Sequence, residues 1–366
     1  MIVVTGGHLT PALAFIDALP ANLRSQVIFI GRHFAAESSR TSAHEQRLIA
    51  DRGLQFLPLT TGKLPRHFNL HQLVSLAKFP LGLTQALLYL RRYRPRLVVS
   101  FGGYIALPVA LAAAMLKIPV ITHEQGTRPG LANKLIARLA KTIAVSWATN
   151  LPDFPALKTV LTGNPLRSAI LEPSSDCPFT FKPAASDKII YVTGGNQGAQ
   201  VINSSLLPLL PQLLDTALVI HQTGLADFNQ CNQAAAVLPP RFRQRYFPAP
   251  WLEDSQVSWC LRHAHLLVGR SGANTVTEVA FTGLPALFIP LPWAQQNEQF
   301  FNAQLLQDAG LARILLQKDL SPQSLSQAIA AMLKNESAFR RHAPSARKLL
   351  QLNAAQNLVH LIHDFI

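Results

Sequence analysis

The chain alternates short apolar runs, rich in β-branched residues, with glycine-containing turns and stretches of helical periodicity. A run of this kind followed by a turn and an amphipathic stretch is typical of a buried parallel strand and its crossover helix. The runs that fit the pattern are IVVTGG, VIFIG, LVVSFGG, VITHEQG, IIYVTGGNQGAQ, LVIHQTG, HLLVGRSGANT and ALFIPLP. The alternation predicts an α/β protein whose parallel strands are joined by right-handed crossovers.

The strand series begins again near Lys188, after a segment rich in Pro, Ser and Asp that is typical of a linker. VVTGGH and YVTGGNQG each end a strand on Thr-Gly-Gly, so the second series resembles the first. We therefore expect two Rossmann-like domains, residues 1–165 and 166–340, whose sheets face each other across a cleft. Apolar positions in residues 341–366 predict a terminal amphipathic helix.

Composition narrows the class of protein. The 366 residues are 49% hydrophobic and 14% charged, which excludes a disordered chain. Three cysteines, at 177, 231 and 260, are too few for a disulfide scaffold and too far apart for a zinc knuckle, so we expect a reducing cytoplasm. Gly6, Gly7 and His8 interrupt the apolar start, which argues against a signal peptide.

An uncharged stretch over residues 97–116 resembles a membrane span in composition. Gly102, Gly103 and Pro108 interrupt it, so we expect a buried strand, a tight turn and a buried helix there, and no transmembrane span.

Charge is unevenly distributed along the chain. The net charge is +14, and residues 1–165 hold 18 Lys and Arg against 6 Asp and Glu. Such a basic half fits an anionic membrane, a polyphosphate substrate or nucleic acid. Because the cations are not interleaved with aromatics in an RNA-binding motif, we expect no nucleic-acid partner. A protein that only binds nucleotide sugars or nucleic acid stays as the non-enzyme alternative.

Glycine pairs after two strands suggest phosphate binding. Gly6-Gly7 and Gly194-Gly195 would let the backbone approach an anion closely, although a purely structural tight turn is an equal alternative. In GRSGANTVTE, Glu278 lies one turn into a helix, where a carboxylate can accept both hydroxyls of a ribose. In THEQG, the polar His123, Glu124 and Gln125 end a strand of the first domain and are costly to bury unless paired or used.

Eight motifs carry a more specific resemblance, in order from residue 5 to residue 303. They are TGGHLTPALA, SFGGYIALPVALAA, IPVITHEQGTRPGLANKLIAR, TGNPLR, TGGNQGAQVIN, HQTG, RSGANTVTEVAFTGLPALFIPLP and EQFFNA. In these the chain resembles the MurG family, peripheral membrane glycosyltransferases of peptidoglycan synthesis. The resemblance implies a GT-B fold and an inverting hexosyltransferase that moves N-acetylglucosamine (GlcNAc) from UDP-GlcNAc to the MurNAc 4-hydroxyl of lipid I, giving lipid II. It also implies that the helix of residues 341–366 packs toward the N-terminal domain.

The resemblance assigns residues to two substrates. UDP-GlcNAc would bind mainly to the C-terminal domain, and Glu278 would bind its ribose. The residues assigned to this substrate are Arg167, Asn196, Gln197, Leu252, Arg270, Ser271, Gly272, Ala273, Asn274, Thr275, Glu278, Glu298, Gln299 and Asn302. The acceptor would be lined by Gly6, Gly7, Gly102, Gly103, Tyr104, Gln125 and Asn164. Gly126, Asn196 and Glu298 depart from the residues that are usual in the family.

Transfer with inversion needs a base for the acceptor hydroxyl. His8 is the first candidate, and the alternative is that it only binds the acceptor diphosphate or caps a helix. Glu124 is the second candidate, and the alternative is that its carboxylate holds a loop through backbone N–H groups. No clear Asp-x-Asp metal motif is present, so we expect no metal and no cofactor, and activity that survives EDTA.

Membrane contact is expected from the first domain, at the cytoplasmic face of the inner membrane. Residues 63–96 mix Phe68, Leu70, Leu73, Leu76, Phe79 and Leu81 with seven Lys and Arg, although a core helix with a basic end is the alternative. The resemblance implies further partners among proteins of cell-wall synthesis and division. The alternative enzyme is a related GT-B glycosyltransferase with another lipid acceptor, such as diacylglycerol.

Overall fold

The structure, a computed structural model, describes residues 1–32, 44–62, 70–174, 176–181, 183–184, 187–195 and 197–366. The chain divides into two compact units. Unit 1 holds Met1–Leu166 and Gln351–Ile366, and unit 2 holds Arg167–Leu350.

Unit 1 contains a seven-stranded sheet with the strand order β3-β2-β1-β4-β5-β6-β7. Its strands are β1 Ile2–Thr5, β2 Val27–Arg32, β3 Gln55–Leu59, β4 Leu97–Ser100, β5 Val120–Glu124, β6 Thr142–Val145 and β7 Thr159–Leu161. Its first six helices are α1 Leu9–Ala18, α2 Ala21–Arg24, α3 His44–Ala50, α4 Leu70–Tyr93, α5 Ala106–Met115 and α6 Leu131–Leu139. Short 3₁₀ turns cover Ala148–Asp153, Ala156–Lys158 and His363–Phe365.

Unit 2 contains a six-stranded sheet with the strand order β10-β9-β8-β11-β12-β13. Its strands are β8 Lys188–Thr193, β9 Ala217–Gln222, β10 Tyr246–Ala249, β11 Leu266–Gly269, β12 Ala286–Phe288 and β13 Ala312–Ile314. Its helices are α7 Ser168–Leu171, α8 Gln200–Leu206, α9 Leu210–Leu214, α10 Phe228–Val237, α11 Pro240–Arg243, α12 Asp254–His263, α13 Ala273–Thr282, α14 Glu298–Asp308, α15 Pro322–Lys334, α16 Glu336–Arg340 and α17 Ala343–Arg347. Short 3₁₀ turns cover Leu207–Leu209, Gln295–Asn297 and Gln317–Asp319.

Both sheets are parallel, and in each sheet the order in which the strands are added reverses beside the first strand. The order turns between β1 and β4 in unit 1 and between β8 and β11 in unit 2. Ligands of doubly wound sheets bind at the carboxyl ends of the strands, next to such a switch point. The glycine turns after β1, β4, β8 and β11 lie at these two places.

Two apolar layers cover the sheet of unit 1. One layer packs Ala86 and Leu90 of α4 with Val109 of α5. The other packs α1 against the last helix of the chain, α18 (Ala354–Ile362), through Phe15 and Leu358. The C-terminal segment therefore belongs to unit 1, and the chain returns to that unit at Gln351, because α17 still lies within unit 2.

The stretch over residues 97–116 folds as the sequence predicts. Leu97–Ser100 is the buried strand β4, Gly102 and Gly103 form a turn with φ of +69° and +80°, and Ala106–Met115 is the helix α5. Both glycines are in the left-handed region that other residues rarely adopt. Within the described part of the chain, no helix is both long enough and apolar enough to cross a bilayer.

Candidate active site

The loop after β8 is held closely against the loop after β9. A Cβ added at Gly198, where φ is +77°, would lie 2.1 Å from the carbonyl oxygen of Thr223, so only glycine fits. Thr193 Oγ1 accepts a hydrogen bond from Gly195 N at 3.1 Å, and Gln222 Nε2 donates to Gly195 O at 3.3 Å. We call Gly194, Gly195, Gln197 and Gly198 the glycine loop of unit 2. Its hydrogen bonds fix the backbone where a phosphate-binding turn is expected.

A pocket opens beside the glycine loop, lined within unit 2 by polar and apolar side chains. The lining residues are Arg167, Tyr191, Thr193, Gly195, Gln222, Trp251, Leu252, Val257, Leu261, Leu267, Thr275 and Glu278. Arg167, Leu252, Thr275 and Glu278 are donor residues assigned by the resemblance, and they lie together here.

Arg167 pairs with two carboxylates in this pocket. Its Nε donates to Glu278 Oε1 at 2.8 Å, and its Nη1 donates to Asp254 Oδ1 at 2.7 Å. Burial raises the pKa of Glu278, and the Arg167 charge acts in the opposite direction. The pKa of Glu278 is raised on balance, and the Arg167 guanidinium is the group that favours its ionised form, which can accept hydrogen bonds from hydroxyl groups.

The residues around the start of α13 are tied to α14. Ser271 Oγ donates to Gln299 O at 2.7 Å, Asn302 Nδ2 donates to Ser271 O at 3.2 Å, and Gln299 Oε1 accepts from Leu291 N at 3.1 Å. The two separate donor motifs, residues 270–278 and 298–302, thus form one structural group. Gly272 is the N-cap of α13, and Ala273, Asn274 and Thr275 form its first turn.

Arg270 is turned into the body of unit 2. Its Nη1 donates to Ile289 O at 2.8 Å and its Nη2 donates to Gln317 Oε1 at 2.7 Å, while the residue is 8% exposed. The guanidinium therefore holds the chain after β12. Any contact of Arg270 with a nucleotide would run through its backbone in this arrangement.

In unit 1, the glycine pairs after β1 and β4 lie against each other. Gly7 N donates to Gly102 O at 2.9 Å, and a Cβ added at Gly103 would lie 3.2 Å from Gly7 Cα. His8 follows directly as the N-cap of α1. Desolvation by the surrounding protein, together with the positive charge of Arg32, lowers the pKa of His8, so the ring is neutral at pH 7.

Glu124 ends β5 and is engaged by its own loop. Its Oε1 accepts from Gly126 N at 3.0 Å, and its Oε2 accepts from Gly130 N at 3.2 Å and from Asn133 Nδ2 at 2.8 Å. The neighbouring Gln125 donates through Nε2 to Phe101 O at 2.8 Å. These bonds hold the turn between β5 and α6 in place. They correspond to the alternative role of Glu124, in which its carboxylate holds a loop through N–H groups.

The remaining residues predicted for the two substrate sites lie in both units. Asn164 is buried just after β7, and Tyr104 packs against the α5 side of the core. Gln197 lies in the glycine loop, where a Cβ added at Gly224 would be 2.5 Å from its carbonyl oxygen. Glu298 is the first residue of α14. Asn196 lies outside the described residues.

Comparisons with known proteins agree along the whole chain. Residues 1–145 match the glycosyltransferase family 28 N-terminal domain, and residues 189–362 match the C-terminal domain of that family. A protein of Geotalea uraniireducens is 33% identical over 97% of this chain and 94% of its own length, and one of Halothermothrix orenii is 30% identical over 98% and 96%. Both are named UDP-N-acetylglucosamine--N-acetylmuramyl-(pentapeptide) pyrophosphoryl-undecaprenol N-acetylglucosamine transferase.

The crystal structure of MurG from Acinetobacter baumannii superposes with a TM-score of 0.70 at 29% identity, and the match covers 99% of both chains. The chain belongs to the MurG family of glycosyltransferases. The GT-B fold predicted from the sequence is confirmed, with its two parallel α/β sheets.

Tyr191, Gln222 and Trp251 line the pocket of this MurG-family chain but have no role predicted from the sequence, and neither has Asp254, which pairs with Arg167. Tyr191 donates to Gln222 Oε1 at 3.1 Å, and Trp251 precedes Leu252. Tyr191 lies inside an apolar run and reads as a core residue. Gln222 stands in the quoted motif HQTG and Asp254 begins a helix, so both were visible as polar groups without an assigned role.

Proposed function

We propose that this protein transfers GlcNAc from UDP-GlcNAc to the MurNAc 4-hydroxyl of lipid I, releasing UDP and forming lipid II. The observation that carries the proposal is similarity over nearly the full length to relatives named for this reaction. The product would serve cell-wall synthesis, and through it cell shape and division.

Unit 2 would bind the donor. The Glu278 carboxylate would accept the ribose hydroxyls, since it is buried and paired with Arg167. The glycine loop, with its fixed backbone, would lie against the diphosphate. The residues that tie α13 to α14 would contact the GlcNAc hydroxyls, with Gln299 and Asn302 already fixed on one side by backbone bonds.

Unit 1 would supply the base. His8 would accept the proton of the MurNAc 4-hydroxyl while that oxygen attacks the anomeric carbon, and the bond from that carbon to the UDP oxygen breaks with inversion. With its pKa lowered, the imidazole is neutral at pH 7 and is therefore in the form that can accept a proton. Glu124 would shape the acceptor loop, since its carboxylate already accepts three hydrogen bonds.

Unit 1 would also contact the anionic cytoplasmic face of the membrane. Leu81 and Leu88 of α4 and Met115 of α5 are 49%, 60% and 63% exposed, and Arg91 of α4 and Lys117, just after α5, are exposed as well. Exposed apolar side chains and cations on the same two helical segments suit contact with anionic lipid. Phe79, expected on this surface, packs against the core instead, and Phe68 lies outside the described residues.

The deciding experiment is UDP release from UDP-GlcNAc with and without a short-chain lipid I analogue. We expect release that depends on the acceptor and that His8→Ala lowers by about 100-fold or more, as for loss of a general base. His363→Ala, an exposed histidine in the terminal 3₁₀ turn, is the matched control. Release with a diacylglycerol acceptor but not with lipid I would replace this proposal by the related lipid glycosyltransferase.

A further inference from the structure

Asp254 stands at the outer end of a charged chain of three side chains. Arg167 lies between it and Glu278, with N···O distances of 2.7 Å to Asp254 and 2.8 Å to Glu278. The exposed fraction of the side chain falls along this chain, from 50% at Asp254 to 14% at Arg167 and 6% at Glu278. A half-exposed carboxylate is thus joined to a buried one through a single guanidinium group.

The guanidinium group transmits orientation as well as charge. It is planar, and its donors point in fixed directions, so a group that holds Nη1 also fixes where Nε points. Arg167 Nε is the donor that meets Glu278 Oε1. If Nη1 lost its partner, the long side chain would be free to rotate, and the Glu278 carboxylate would lose its fixed neighbour.

Asp254 also acts directly on Glu278, in the opposite sense. Both groups are anionic, so Asp254 disfavours the ionised form of Glu278, while Arg167 favours it. Removing only the charge of Asp254 would make Glu278 a better anion and would strengthen hydroxyl binding. Releasing Arg167 would weaken it. The sign of the effect therefore separates an orienting role from a simple charge effect.

We propose that Asp254 is a positioning residue for donor recognition, which holds the Arg167 guanidinium so that Glu278 presents its carboxylate to the ribose hydroxyls of the donor. This inference rests on the proposed function, because it takes a uridine nucleotide as the ligand of the pocket. Its consequence is discrimination between ribose and deoxyribose that depends on a residue outside direct contact with the sugar.

The test compares UDP with 2′-deoxyuridine 5′-diphosphate (dUDP) by calorimetry, for the wild-type protein and Asp254→Ala, which leaves Arg167 Nη1 without this acceptor. We expect Asp254→Ala to weaken UDP binding about threefold to tenfold, the scale of part of a charged hydrogen bond, and to weaken dUDP binding less, because dUDP keeps only the 3′-hydroxyl. Retained dUDP binding also shows that the variant is folded. In the transferase assay the KM for UDP-GlcNAc should rise with little change in kcat.

Two further variants sharpen the comparison. Asp215→Ala is the matched control, since Asp215 is also an exposed carboxylate beside an arginine, at 3.8 Å from Arg241, with 58% of its side chain exposed. In a Glu278→Gln background, Asp254→Ala should produce no further change in the ratio of UDP to dUDP affinity.

The inference is overturned by equal weakening of the binding of both nucleotides, by unchanged or tighter UDP binding in Asp254→Ala, or by a wild-type protein that does not distinguish the two. A wild-type protein that binds neither nucleotide overturns the proposed function, and this inference with it.

Discussion

Two buried glutamates show how similar residues acquire different roles. Glu124 is bonded to the backbone of its own loop and to Asn133 of α6, whereas Glu278 is bonded to the arginine of a pocket. Sequence reasoning places both at the ends of strands or in the first turns of helices. It leaves the role of Glu124 open, because hydrogen-bond partners that are distant or belong to the backbone leave no pattern in the chain.

The two glutamates should respond differently to the same substitution. Glu124→Gln replaces one carboxylate oxygen, which accepts hydrogen bonds from N–H groups, with an NH₂ group that cannot accept them. We expect this substitution to lower the free energy of unfolding by about 1–3 kcal/mol. Glu278→Gln should chiefly raise the KM for UDP-GlcNAc. Urea denaturation and steady-state kinetics on both variants check this, and a stability loss confined to Glu278→Gln would contradict it.

His8 makes a prediction about pH. Desolvation, then Arg32, lower its pKa below the usual value of about 6.5, so the acid limb of kcat/KM should lie below pH 6.5 and the rate should be flat around pH 7. Replacing His8 with Ala should remove that limb. An unchanged pH profile in the variant would assign the limb to another group.

At the scale of elements, the strands beside glycine turns are the ones that sequence reasoning finds. The apolar runs that contain β1, β2, β4, β5, β8, β9, β11 and β12 are each followed by a turn with Gly or Pro. The strands β3, β6, β7, β10 and β13 are not among these runs; β3 and β10 contain Pro, and β7 and β13 are only three residues long. Their strand conformation depends on hydrogen bonds to a neighbouring strand, which the local sequence does not encode.

A buried histidine links three elements of unit 2. His221 of β9 meets Asn203 Oδ1 of α8 at 2.9 Å and Tyr246 Oη of β10 at 2.9 Å. Asn203 in turn donates to Thr223 O at 2.9 Å, the carbonyl that lies against Gly198. The network therefore fixes the carbonyl group of Thr223 against which the glycine loop packs.

This network should make stability depend on pH. Burial lowers the pKa of His221 to about 3, so between about pH 6.5 and 3 the unfolded chain binds a proton that the folded chain does not. Stability should fall as pH falls through that window, by about 1.4 kcal/mol per pH unit for this one group. Urea unfolding at pH 7 and pH 5 should show a smaller difference for His221→Asn than for the wild type, and equal differences would refute the assignment.

At the scale of the whole molecule, the excess of positive charge lies in the first half of the sequence. We expect binding to vesicles that contain anionic lipid at low salt, with loss of binding as salt screens the charges. Leu88→Glu should weaken sedimentation with such vesicles, because it places a carboxylate among exposed apolar side chains. Val237→Glu, at the end of α10 in unit 2 and 82% exposed, should not.

The sequence predicts the presence of two units but not every boundary between them. The restart of the strand series near Lys188 indicates two sheets, since each sheet needs its own run of strands. The point where the chain returns to unit 1 is set by packing of α18 on α1, through side chains separated by most of the sequence. No local signal marks Gln351 as that point.

The close contact between Gly198 and the carbonyl of Thr223 has a consequence for inhibitors. A compound that binds the glycine loop through main-chain N–H and C=O groups would depend on atoms that every amino acid shares. Escape by substitution at position 198 would require a side chain in a space only 2.1 Å from a backbone oxygen. Drug resistance should therefore arise more slowly against such a compound than against one that relies on the side chains of the pocket.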